Sequence, residues 1–264
     1  MALRDVLARH SYEELLSLLD WFTRRGPIPT IIGGWAVYFY NGYLGSVDID
    51  LVSYSMSGMF DQLLLDFEMS QSYEEVKTDP LGLGTSYMRP VLEGGRVVGY
   101  VEIDACTFES DPRVFHEDES KELPYELCGR RGLLTRVDLD GDREAYIPVK
   151  PLLFLYKLKA FRDREHDLKT RGAVLPTSRR EWLRAKWIKD GSDMMAILDP
   201  EPETSVIEQV FDSDVFWSIV EEHDLKFCLD TFQRLPSLAE SRALYPNASE
   251  AEISEWVGCL QKEV

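Results

Sequence analysis

Two short stretches constrain this chain more than any others: Ile31-Ile32-Gly33-Gly34-Trp35-Ala36-Val37 and, soon after, Ser46-Val47-Asp48-Ile49-Asp50-Leu51. The β-branched pair before the glycines suits a buried strand and the apolar run after them suits a short helix, so the pattern predicts strand, turn, helix over 29–42. A second strand is expected over 47–53. Side chains alternate along a strand, which puts Asp48 and Asp50 on one face and Ile49, Leu51 on the other. A Gly-Gly turn lets backbone N–H groups approach a phosphate, and the following helix adds the positive end of its dipole. Paired hard-oxygen ligands beside such a cradle suit Mg²⁺-assisted chemistry on a nucleoside triphosphate.

The rest of the sequence limits the alternatives. At 264 residues the chain has room for one large or two ordinary domains, and 44% hydrophobic content argues against global disorder. No run of about 18 apolar residues suggests a membrane span. The N-terminus lacks a signal-peptide core, so a cytoplasmic location is expected. Cys106, Cys128, Cys228 and Cys259 are scattered, as are the four histidines, and neither set has zinc-ligand spacing. The cysteines are expected to be reduced, and any metal site to be built from carboxylates.

The net charge of −18 is uneven: residues 150–189 hold 12 Lys/Arg against 4 Asp/Glu, while residues 190–264 hold 4 against 17. Either these are solvated charged faces, or the basic segment meets a triphosphate or RNA while the acidic remainder repels indiscriminate nucleic-acid binding.

A helix is expected over 11–24, with Ser11 and Glu14 as a capping box, and another over 58–69. Residues 85–108 read as a hairpin turning at Gly94-Gly95, and 133–149 as a second hairpin turning at Asp140-Gly141. Helical pattern follows over 151–164, 179–198, 204–222, 224–234 and 249–262, with 166–178 as a loop. The expected fold class is α+β: a mixed sheet with flanking helices over 1–147, then an all-helical domain over 148–264.

In order, Gly33-Gly34, Asp48-x-Asp50 and an apolar strand carrying Asp104 resemble the polymerase-β-like nucleotidyltransferase superfamily. Lys157-Leu158-Lys159-Ala160, with Lys189-Asp190-Gly191-Ser192-Asp193 downstream, is similar to helices of its abortive-infection, type IV toxin-like branch. The two matches span roughly residues 28–198. Leu44 stands where many relatives carry arginine, whereas Ser46 keeps the usual hydroxyl two residues before the first acid. Gly33-Gly34-Trp35 also resembles the start of the motif in small antibiotic-modifying enzymes, but their next acidic residue is replaced here by Tyr38–Tyr40.

The resemblance implies a nucleotidyltransferase-like catalytic domain in which Asp48, Asp50 and Asp104 ligate two Mg²⁺ ions (or Mn²⁺). Asp104 would act as general base, with Glu102 as the alternative. Gly33, Gly34 and Ser46 would hold the phosphates of an NTP such as ATP, and Lys157 and Lys189 would reach them from the helical domain. An exposed helix lysine paired with Asp193 at i+4 is the plainer reading of Lys189. Asp190 and Asp193 would orient basic groups rather than bind metal. Trp182, Trp187, Tyr38 and Tyr40 either stack a base or belong to the core. Three functions stay open: NMP transfer to an RNA (tRNA among them) or protein acceptor by a toxin with a cognate antitoxin, nucleotidylation of a cationic small molecule such as an aminoglycoside, and a catalytically silent nucleotide-binding module.

Overall fold

The computed structural model describes residues 3–53, 58–77, 85–108, 113–139 and 142–261. The chain runs α1 (Leu3–Arg25), β1 (Thr30–Ile32), α2 (Gly33–Tyr40), β2 (Ile49–Ser53), α3 (Met59–Ser70), β3 (Glu74–Lys77), β4 (Thr85–Glu93) and β5 (Arg96–Thr107). Then come β6 (Val114–Phe115), β7 (Asp118–Glu122), β8 (Leu134–Leu139), β9 (Arg143–Pro148), α4 (Lys150–Thr170) and α5 (Thr177–Leu198). It closes with α6 (Ser213–Glu222), α7 (Leu229–Arg234), α8 (Ala239–Leu244) and α9 (Glu250–Gln261). These elements form two compact units. Residues 1–38, 44–110 and 125–148 make the first, and residues 39–43, 111–124 and 149–264 the second.

The first unit is built on a seven-stranded mixed sheet in the order β3-β4-β5-β2-β1-β9-β8. β2 is antiparallel to β1 and parallel to β5, and β9 is parallel to β1. α1 packs on β5, β9 and α3. It buries Leu15, Leu18, Leu19 and Phe22 completely, each worth about 1.5–3 kcal/mol. The expected hairpin over 85–108 forms as β4 and β5. Gly94 and Gly95, with φ of 56° and 78°, supply its two-residue turn. β8 and β9 form the second hairpin, and its Asp140-Gly141 tip lies outside the described residues.

Two expectations in this unit are corrected. α1 begins well before Ser11, so Ser11 and Glu14 are interior, fully buried positions rather than a capping box. Ser11 Oγ accepts the Trp35 indole N–H at 3.0 Å, and Glu14 pairs with Arg89. β2 starts at Ile49, which leaves Asp48 in the bend just ahead of the strand.

The second unit centres on α4 and α5, two long helices joined over residues 171–176 and packed on each other. α4 runs to Thr170, six residues past the expected end, because no helix breaker precedes Gly172. Its first ten residues, Lys150–Lys159, are all buried. Phe154, Phe211, Phe216 and Phe232 meet with ring centroids 5.7–6.1 Å apart and make an aromatic core. The helix expected over 204–222 starts only at Ser213, where Asp212 caps it by accepting the Val215 N–H at 3.1 Å. The segment expected as one helix over 224–234 is a 3₁₀ turn followed by α7, and α8 had no sequence counterpart. From Lys150 onward every described element is a helix, as expected, and the two-stranded ribbon β6–β7 joins this unit from residues 111–124. No described helix is long and apolar enough to cross a membrane.

Candidate active site

Asp50 and Asp104 are brought together by the sheet. The parallel pairing of β2 with β5 sets Asp50 opposite Asp104 and Ile49 opposite Ile103. Paired strands lie about 4.8 Å apart, so the two carboxylates are neighbours on one face. Ile49, Leu51 and Ile103 are buried on the other face. Glu102, two residues before Asp104, shares its face and is half-buried.

On its other side Asp50 stands opposite Ile32, the residue before Gly33. Gly33 has φ +67°, and a Cβ built on it would stand 2.6 Å from Asp50 Cγ and 3.0 Å from Asp50 Cβ. Glycine is needed here twice, for the left-handed backbone and for the space the Asp50 carboxylate fills. Asp50 is thus packed on the first residue of α2, and Gly34 is the buried second residue. The first N–H groups of a helix have no partner within it, and the dipole there favours an anion. Ser46 is buried and Asp48 half-buried in the segment leading into β2.

Among the described residues, no group of three or more acidic, histidine or cysteine side chains is gathered closely enough to hold a metal ion. Of the three expected carboxylates, Asp50 and Asp104 face each other across paired strands and Asp48 lies in the bend just before β2. The Asp50–Asp104 pair does suit one hard cation, because Mg²⁺ is commonly held by one or two carboxylates with the substrate's phosphates and water.

Lys157 and Lys189 belong to the second unit, and Asp193 takes both. Lys157 Nζ lies 2.7 Å from an Asp193 oxygen and Lys189 Nζ lies 2.9 Å from both. The Tyr43 hydroxyl donates to the same carboxylate at 2.6 Å. Asp193 is fully buried. Burial alone would raise its pKa, but the charges of Lys157 and Lys189 outweigh that and hold it well below the usual carboxylate range. Asp190 pairs with Arg164 and lies 3.6 Å from Lys157. Both aspartates orient basic groups and tie α4 to α5.

Tyr43 and Asn41 make buried contacts that sequence reasoning missed. The Asn41 amide donates to the Ala196 carbonyl at 3.0 Å and to the Tyr245 hydroxyl at 2.8 Å. Phe39 O accepts the Val206 N–H at 2.8 Å and Gly42 N–H donates to Thr204 O at 2.8 Å. The five residues 39–43 are thereby stitched into the helical unit.

The four aromatics divide clearly. Tyr40 is fully buried, Tyr38 packs on Tyr12 and Trp35, and Trp187 lies against Phe161. Trp182 alone of the four is exposed, at 43%. Many of the cations in 150–189 are spent on internal pairs, among them Lys159 with Asp163 and Arg162 with Glu117 and Asp230.

No protein-family model and no curated protein matches this chain. Among solved structures it is similar to an antigenic nucleotidyltransferase-like protein from Paracoccidioides brasiliensis, 16% identical, over 86% of this chain and 92% of that one, with a TM-score of 0.38. A likeness that loose carries no argument about activity.

Proposed function

We propose that this chain is an NTP-dependent nucleotidyltransferase whose first unit is the catalytic domain. The observation that supports it is the in-register Asp50–Asp104 pair with Asp50 packed on Gly33 at the start of α2. In this reading the Gly33 and Gly34 N–H groups, with the Ser46 hydroxyl, bind the triphosphate. Asp50 and Asp104 hold a divalent cation, and Asp48 completes the acidic set from the preceding bend. The cation, when bound, neutralises phosphate charge and polarises the phosphoryl oxygens. Asp104 accepts the proton of an RNA or protein hydroxyl as that oxygen bonds to the α-phosphorus. The bond from the α-phosphorus to the bridging oxygen breaks and pyrophosphate leaves. Lys157 and Lys189 are not assigned to the triphosphate, because Asp193 already takes both ammonium groups.

Leu44, at a position where many members of the superfamily it resembles carry arginine, favours a second reading, a nucleotide-binding module without turnover. Pyrophosphate release measured beside equilibrium nucleotide binding separates the two. Release that needs Mg²⁺ or Mn²⁺ and is lost in Asp104→Asn supports the enzyme. Binding without release over pooled RNA, protein and aminoglycoside acceptors supports the silent module. Absence of nucleotide binding refutes both.

A further inference from the structure

The first half of α5 differs from the second. Residues 177–182, 184 and 185 are exposed, whereas every residue from Asp190 to Leu198 is buried. On the exposed half, Arg179, Trp182 and Lys186 recur at helical spacing and share one face. The Arg179 guanidinium lies 4.1 Å from the Trp182 ring centroid and the Lys186 ammonium 5.6 Å from it. Exposed Arg171 and Arg180 stand nearby in sequence, and Val174, between the helices, is 83% exposed.

Two features are costly for the isolated protein. A large indole and an apolar valine face water. Arg179 and Arg180 also sit in the first turn of α5, which holds no acidic residue and has no side-chain cap at Pro176. Cations are disfavoured at that end of a helix because they add to the positive pole of the dipole. From 171 to 189 the sequence has six Lys/Arg and one acid, Glu181, in a chain of net charge −18. Of those six, Arg184 pairs with Glu240 and Lys189 with Asp193.

We infer that this face of α5 binds single-stranded nucleic acid, with Trp182 stacking an unpaired base and the exposed Arg179 and Arg180 meeting the flanking phosphates. A partly exposed aromatic ring beside exposed arginines matches the alternation of planar base and charged phosphate along a strand. A duplex hides the faces of its bases, and an acidic peptide offers no planar group for the indole. The binding does not depend on the transfer reaction proposed above.

The test is fluorescence anisotropy with labelled 12-nucleotide RNA and DNA strands of mixed sequence, and with duplexes of the same length, in 50 and 200 mM salt. Trp182→Ala is expected to weaken single-strand binding roughly 5- to 150-fold, with most of it restored in Trp182→Phe and little change for duplex. Arg179→Gln/Arg180→Gln is expected to reduce the magnitude of the log–log salt slope by about 1.4. All these positions are exposed, and thermal melting confirms that each variant is folded. No single-strand binding in 50 mM salt, equal affinity of Trp182→Ala and the parent, or equal competition by poly-glutamate would each overturn the inference.

Discussion

Gly33 is where backbone and site meet at the scale of a single residue. Its positive φ and the Asp50 carboxylate occupying the space of its missing side chain oppose any substitution. Gly33→Ala is expected to lower stability by about 1–3 kcal/mol and to weaken nucleotide binding, measured by denaturant titration and by calorimetry. Asp193 is the corresponding residue in the helical unit. Asp193→Ala leaves Lys157 and Lys189 without their shared acceptor in a buried site and is expected to cost about 3–5 kcal/mol. Because its pKa is lowered on folding, its contribution is fully present above the unfolded value of about 3.9 and is lost as pH falls through the folded one. Stability of the parent is thus expected to fall below about pH 4, and less steeply in Asp193→Asn.

The turn at Gly33 and the strand carrying Asp50 were legible from local pattern, whereas Asp104 was placed beside Asp50 only through the order of motifs in the family it resembles, because the β2–β5 pairing is long-range. The Lys189–Asp193 pair was legible from local spacing, being one helical turn apart. Tyr43 was not, since its partner lies 150 residues away and no local spacing encodes that contact.

At the scale of elements, one signature occurs twice with different outcomes. Ser-x-x-Glu at 11–14 is helix interior, whereas at 249–252 it is a true capping box. There Ser249 N–H donates to Glu252 at 2.8 Å and Glu252 N–H donates back to Ser249 Oγ at 3.3 Å. The difference lies outside the motif: residues 3–10 continue the helix before Ser11, while Pro246 and Asn247 break the chain before Ser249. The strands β1 and β2 and the β4–β5 and β8–β9 hairpins were readable from alternation and Gly-containing turns, whereas β3 and the β6–β7 ribbon had no sequence counterpart. The short helices after residue 200 were not, because tertiary packing rather than a long amphipathic repeat defines them. α5 provides an element-level test. Arg179→Glu replaces a cation by an anion at the positive end of the helix and is expected to stabilise it by about 0.3–1 kcal/mol in low salt while weakening nucleic-acid binding. Thermal melts and anisotropy on one preparation measure both.

At the scale of the whole molecule, charge and chemistry are divided between the units. The first carries the in-register carboxylates and the glycine turn, and the second carries the basic stretch, much of it consumed by internal ion pairs. The uneven charge was plain in the sequence; which cations remain at the surface was not, because that depends on pairings such as Lys157 with Asp193, made across two helices. The central claim is that the Asp50–Asp104 pair serves nucleotidyl transfer. The most direct measurement follows ³²P from each α-labelled NTP, with Mg²⁺ or Mn²⁺, into a pool of RNA, protein and aminoglycoside. Label is expected in one acceptor with matching pyrophosphate release, reduced about 10²–10⁴-fold in Asp104→Asn and lost in Asp50→Asn. Transfer that persists unchanged in both variants, or a parent protein that neither transfers label nor binds any nucleotide, would contradict the claim.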